Sequence, residues 1–233
     1  MTRQEKLFSE TSVWKAIASL AVPSMITMIV VMLYNMADMF FVGQAGDTAQ
    51  VAAVSMAGAL YSILMAMGTM LGAGSCIMVA RSLGEKKEEK VKIYSSLCFW
   101  SGIFLGVIYG VVVLFFMNPI LKLLGANRDT WEYARGYISI IAIGAPAMIL
   151  TSALGNMLRG EGFIREGMLG NLISTAVNLI LDPILIIGFH MGVQGAAIAT
   201  VAANVVGVIY YLLYIRFSKS ILSMNPIHGK KEP

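Results

Sequence analysis

The chain has 233 residues, of which 58% are hydrophobic and only 13% charged, with a formal net charge of +4 and a mean hydropathy of +0.76. Soluble domains carry about 25% charged residues, so a water-soluble globule of this composition would have to hide nearly its whole sequence. These values exclude a soluble domain and predict an integral membrane protein.

Runs of about 20 apolar residues are long enough to cross a bilayer as helices, and six occur in order. The first, Trp14–Val42, is too long for a signal-peptide core and lacks a small-residue cleavage site, so it is expected to stay as a helix. It carries Pro23, Tyr34 and Asp38. The second, Val51–Arg81, contains Cys76 and leads into a lysine- and glutamate-rich stretch, Glu85–Lys92, read as a solvated loop. The third, Ile93–Met117, holds Cys98 and repeats a small residue every fourth position at Gly102, Gly106 and Gly110, a ridge that lets helix backbones approach closely in lipid. Neither cysteine has metal-ligand or redox spacing, and both read as small packing residues.

The fourth span, Trp131–Leu158, includes Tyr137, Pro146, Ser152 and Asn156. The fifth, Ile164–Phe189, places Asn178 one turn before Asp182 and follows Asp182 with Pro183. The sixth, Val193–Phe217, repeats the small-residue ridge at Gly195, Ala199, Ala203 and Gly207, with Thr200 beside it. Prolines at 23, 146 and 183 each remove a backbone hydrogen bond and can bend their helices. Residues 1–217 thus read as one all-α, six-helix membrane lobe, and 218–233 as a basic cytoplasmic tail or connector.

Charge sets the orientation. With the N-terminus inside, 14 of the 17 basic residues fall in inner segments, and only Lys122, Arg128 and Arg135 fall outside. That bias predicts a bacterial-type cytoplasmic (inner, plasma) membrane protein with both termini cytoplasmic. The basic balance reflects topology and does not point to nucleic acid.

Asp38 and Asp182 are acids inside spans, where each costs roughly 2.5–3.5 kcal/mol near the bilayer centre and normally faces a cavity or partner. Spans one and five run from inside to outside. Asp38 lies four residues before the outer end of its span and Asp182 seven before the end of its own. At 1.5 Å per residue the two sit at nearly one level of the outer half. Tyr34 is one turn from Asp38, Asn178 one turn from Asp182, and Tyr137 and Thr200 descend to similar depth on spans four and six. Together they predict a polar pocket open to the outside. Two neighbouring carboxyl groups cannot both ionise cheaply, which favours a shared proton exchangeable for a cationic ligand. The same oxygens, at Asp38, Asn178, Asp182 and Thr200, suit Na⁺ as an alternative.

Enzyme chemistry has no visible equipment. There is no HExxH, GxSxG or Walker A pattern, and the two histidines, His190 and His228, fall in an outer loop and the tail. Gly72-Ala-Gly74 and Gly160-Glu-Gly162 follow no strand and do not read as phosphate loops. The expectation is a non-enzyme with no cofactor, using H⁺ or Na⁺ as a coupling ion.

In order and spacing, several stretches resemble the multidrug and toxic compound extrusion (MATE) family of antiporters. They are Pro23, YNMADMFFVGQAG (34–46), VAAVSMAG (51–58), GAGSCIMVARSLGE (72–85), ALGNMLRGEG (153–162) and NLILDPILIIGFHMGVQGAAIAT (178–200). The resemblance implies twelve helices in two six-helix lobes, exporting small organic cations or drugs in exchange for H⁺ or Na⁺. It also implies that Asp38, Asn178 and Asp182 form the coupling site, with Tyr34, Tyr137 and Thr200 completing the polar cluster. By spacing, Ser152 takes the place of a family asparagine, with Asn156 as a nearby substitute, and Phe163 replaces the usual polar residue after RGEG. Only the N-terminal lobe is represented, so the expected partners are the lipid bilayer, the cation substrate, and either a C-terminal lobe or a second copy as a homodimer. Alternatives are a lipid-linked precursor flippase of the same superfamily, a non-transporting scaffold subunit, or an inactive fragment.

Overall fold

A computed structural model describes residues 48–218 and 220–225, together with Val22, Met25, Ile29, Met32, Met36, Phe40 and Gly43. Those seven isolated positions are helical and exposed, and they recur at intervals of three or four, so they trace one outward apolar stripe along the first predicted span. Tyr34, Asp38 and the remainder of that span lie outside the described residues.

Every regular element among the described residues is a helix. Helix α1 runs Thr48–Gly84, α2 Glu88–Phe115, α3 Met117–Leu123, α4 Trp131–Glu161, α5 Ile164–Pro183 and α6 Gly192–Phe217. All but the short α3 are long and apolar enough to cross a membrane, with α5 counted through Gly188. They match the second to sixth predicted spans to within a turn or so at each end. Two features differ from expectation. The loop after the third span folds a short helix, α3, in which Pro119 sits in the first turn, where its missing N–H costs nothing. The fifth span does not continue as an α-helix to Phe189. After Pro183 the chain rewinds into a π-helical turn, Ile184–Gly188, because proline cannot complete the α-helical ladder.

Helix α4 is the axle of the bundle. It packs against α1, α2, α5 and α6, while α1 also meets α2, and α5 meets α6. Of its central apolar stretch 67% is buried, against 39% for α6 and no more than 28% for the others. The outer helices turn large apolar side chains such as Met70, Ile77, Phe104, Val111, Ile180 and Leu213 outward. Among the described residues, that pattern leaves α4 as the one enclosed helix.

The seams are built on small residues, as the sequence predicts. On α2, a Cβ at Gly106 would fall against the Pro146 backbone of α4, and one at Gly102 would reach Leu150. The ridge therefore seats at the proline of α4. On α6, Gly195 lies against the Leu185 carbonyl of the π-turn, and Gly207 lies against Thr151 and Ser174.

Both ends of the bundle are pinned by side chains reaching backbone. At one end, Gln50 of α1 accepts a hydrogen bond from the Val193 N–H at the start of α6 (3.1 Å). At the other, the chain leaving α6 crosses beneath the helices as an extended strap, residues 220–225. Glu161, the last residue of α4, accepts hydrogen bonds from Ser220 Oγ (2.6 Å) and from the Ile221 N–H. Beyond it, Ser95, Ser96 and Trp100 of α2 bind the backbone of Ser223, Asn225 and Met224. In the α1–α2 turn, hydrogen bonds from Lys87 and Arg81 hold the exposed Glu85 carboxyl below its ordinary range.

Candidate functional site

Helix α5 is inside out relative to a soluble amphipathic helix. Its buried residues are Gly167, Gly170, Ser174, Asn178 and Asp182, a single stripe of small and polar positions three or four apart. Its apolar residues, including Leu179 and Ile180, face outward. A helix sorted this way turns its small and polar groups into the bundle and its large apolar side chains outward.

The stripe meets α6 and α4. At its upper end Asp182 is fully buried (0% exposed), with Asn178 and Thr200 nearly so. The Asn178 amide orientation that satisfies both its groups donates from Nδ2 to Asp182 Oδ2 (2.8 Å) and accepts from the Thr200 N–H (3.0 Å). In the opposite orientation Nδ2 donates to Thr200 Oγ1 (3.3 Å). Three of the predicted coupling residues are therefore one cluster across the α5–α6 seam. The π-turn begins immediately beyond Pro183, so the acid sits where the regular backbone of α5 stops.

Lower on the seam, Ser174 Oγ donates to the Ala203 carbonyl (2.8 Å), Thr151 Oγ1 of α4 to the Asn204 carbonyl (3.0 Å), and Asn204 Nδ2 to the Thr200 carbonyl (2.8 Å). At the bottom the buried Tyr211 hydroxyl donates to the Gly167 carbonyl (2.7 Å) and to Asn171 Oδ1 (3.3 Å). Its ring fills the space that a Cβ at Gly170 would need. These hydroxyls are committed to acceptors on neighbouring helices, so they fasten α4, α5 and α6 together and fix the frame in which Asp182 sits. Tyr211→Phe, which removes only the donor, is expected to cost about 1 kcal/mol. A thermal-unfolding midpoint in detergent equal to that of the parent would show that the hydroxyl contributes nothing.

Sequence reasoning missed Ser174, Thr151, Asn204 and Tyr211. The signal for the first was available, since stepping back from Asp182 by four gives Asn178 and then Ser174. The other three depend on which faces of α4 and α6 meet α5, which periodicity alone does not give.

The remaining candidates lie elsewhere on α4. Ser152 and Asn156 are half-buried on its α1 side, against Gly68 and Gly72, with Asn156 Nδ2 donating to the Ser152 carbonyl (2.9 Å). Neighbouring Thr151 points instead to α6, as the 100° step between successive helical residues requires. Tyr137 is buried and lines a small hollow among α1, α2 and α4 with Ala57, Leu60, Tyr109, Val113 and Ile141. Tyr109 closes that hollow by donating its hydroxyl to the Leu60 carbonyl (2.8 Å).

Comparison with known proteins gives one family. The sequence model of the MatE family matches residues 23–184. Among similar sequences, "Multidrug export protein MepA" of Staphylococcus saprophyticus is 33% identical over 94% of this chain and 48% of its own length. Its namesake in Staphylococcus haemolyticus is 32% identical over 96% of the chain and 49% of its own length. Among solved structures, "Outward-facing conformation of a multidrug resistance MATE family transporter of the MOP superfamily" superposes with a TM-score of 0.86 at 27% identity, covering 100% of this chain and 51% of that one. A second, a MOP superfamily transporter from Pyrococcus furiosus described as having a binding pocket of reverse polarity that suggests a different function, gives 0.89 at 27% identity over 100% and 51%. The chain spans about half the length of the relatives it matches.

Proposed function

The chain belongs to the MatE family, and we propose that this multi-pass membrane protein is one six-helix lobe of an antiporter exporting hydrophobic organic cations in exchange for H⁺ or Na⁺. One observation carries the reading: the fully buried Asp182 carboxyl, linked through Asn178 to Thr200 on the polar stripe that α5 turns inward.

The carboxyl group has two states. Ionised, it accepts from Asn178 Nδ2 while Asn178 Oδ1 takes the Thr200 N–H. Protonated, it gains an O–H donor, which changes what it offers Asn178 across the α5–α6 seam. A proton at Asp182 is thus read as a change in how α5 grips α6. For Na⁺ the same cluster offers carboxylate, amide and hydroxyl oxygens, the hard donors such a cation takes. Asp38 and Tyr34 of the first span complete the coupling site in this reading, while Tyr137, which lines the separate hollow among α1, α2 and α4, joins Ser152 and Asn156 along the substrate path. The names of the staphylococcal relatives support drugs as the exported class. A second six-helix lobe, either further chain or a second copy, closes the substrate cavity, and both ends of this lobe face the cytoplasm.

The test is flux. The protein reconstituted in liposomes together with its second lobe is expected to move a fluorescent organic cation when a pH or Na⁺ gradient is imposed, and to stop when the gradient is collapsed. No flux under either gradient overturns the reading and leaves a non-transporting subunit or inactive fragment. One rival within transport is a flippase for lipid-linked precursors of the same superfamily. Movement of a fluorescent lipid-linked precursor without cation flux would select it.

A further inference from the structure

The strap adds to a bundle in which α2 and α6 already seat on α4 through glycine seams. It is also built differently from those seams. Residues 220–225 have no helix or strand of their own, and of their side chains only Leu222 is buried. A row of side chains reads their backbone, and Leu222, with the partly buried Ile221 and Met224, packs on the hydrophobic cluster formed by α2, α4 and α6. The Glu161 carboxylate takes the Ile221 N–H and the Ser220 hydroxyl. Ser95 Oγ both donates to the Ser223 carbonyl (3.0 Å) and accepts from the Ser223 N–H (2.9 Å). Ser96 Oγ donates to the Asn225 carbonyl (2.6 Å), and Trp100 Nε1 to the Met224 carbonyl (3.2 Å).

A segment with no helix or strand of its own, anchored by one buried and two partly buried apolar side chains, opens at lower cost than a packed helix and leaves the glycine seams in place. The strap ties two helix ends to a third helix: it follows the end of α6, is clasped at the last residue of α4, and lies along the second to fourth turns of α2. We propose that residues 220–225 are a releasable latch, with Glu161 as its clasp and Ser95, Ser96 and Trp100 as its seat, that must undock during the transport cycle. Glu161 is thereby a positioning residue, acting through the strap and not on the cation. The undocking requirement rests on the transport reading above, whereas the latch itself does not.

Two measurements on the full chain separate these claims. In hydrogen–deuterium exchange, the amides of Ile221 and Ser223 are expected to exchange at least tenfold faster in Glu161→Ala and in Ser95→Ala than in the parent, with α5 and α6 unchanged. Glu161→Gln, which keeps a carbonyl acceptor, is expected to recover much of the protection. Equal exchange in parent and variants, or loss of protection spreading through α6, overturns the latch. The second measurement locks it: Ser96→Cys with Asn225→Cys, in a Cys76→Ser, Cys98→Ala background, is oxidised to a disulfide. Locked protein is expected to lose gradient-driven cation flux and regain it on reduction. Full flux while locked overturns undocking and makes the strap a fixed rivet. If the unlocked protein moves no cation, the transport reading has failed, the undocking requirement falls with it, and the exchange experiment still decides the latch.

Discussion

Asp182→Asn is expected to lower gradient-driven cation flux by about 100-fold, the order lost when a required proton-transfer group is removed, without unfolding the bundle. Asparagine is nearly the same shape as aspartate and can still meet the Asn178 amide. The variant cannot take up or release a proton, so the cluster stays in one protonation state. Its stability should not fall, because a carboxylate that costs roughly 2.5–3.5 kcal/mol in a membrane interior has been replaced by a neutral amide. Asp182→Leu differs: it strands the Asn178 amide and should lower stability by about 1–3 kcal/mol. The pairing of the two measurements decides the role. Lost flux with an unchanged unfolding midpoint in Asp182→Asn marks a coupling group. Lost flux together with a large drop in midpoint marks a structural one.

The second large effect is on packing. Gly106→Val is expected to destabilise the bundle by about 3 kcal/mol or more, near the upper end for overpacked cores. A Cβ at that position would land against the backbone of Pro146, and backbone cannot rotate away as a side chain can. The α2 ridge would have to lift off α4 along its whole length, exposing Gly102 and Gly110 with it. Gly74 on α1 supplies the control, since nothing lies within 4 Å of a Cβ built there. Gly74→Ala should leave stability equal or raise it by up to about 1 kcal/mol through helix propensity. Unfolding midpoints in detergent that are indistinguishable between Gly106→Val and the parent would show that the seam has slack the geometry does not suggest.

The spans were legible because lipid imposes a coarse rule: about 20 apolar residues with polar interruptions between them. Small-residue ridges were legible for a similar reason, since a repeat of four on a helix has one geometric use in lipid. The Asn178–Asp182 pair could be read from the one-turn spacing, and Thr200 joined it through helix depth, where the structure indeed places it. What could not be read is rotation. Ser152 and Asn156 face α1, whereas Thr151, one residue earlier, faces α6, and only the packing partners of α4 decide which. The π-turn was hidden because Pro183 announces an interruption without saying how the chain resumes. The strap was hidden because its bonds join residues about 130 apart, from Ser95 to Ser223 and from Ser96 to Asn225.

The enclosure of α4 also bears on biogenesis. Ribosomes deliver α1 and α2 to the bilayer before α4 exists, so the glycine faces of both are presented to lipid with no mate to receive them. The half-made protein must idle as loosely associated hairpins until residues 131–161 insert between them. Quality-control proteases would find it most vulnerable in that interval, and changes in α4 should therefore depress yield in cells more than their effect on the purified product would suggest.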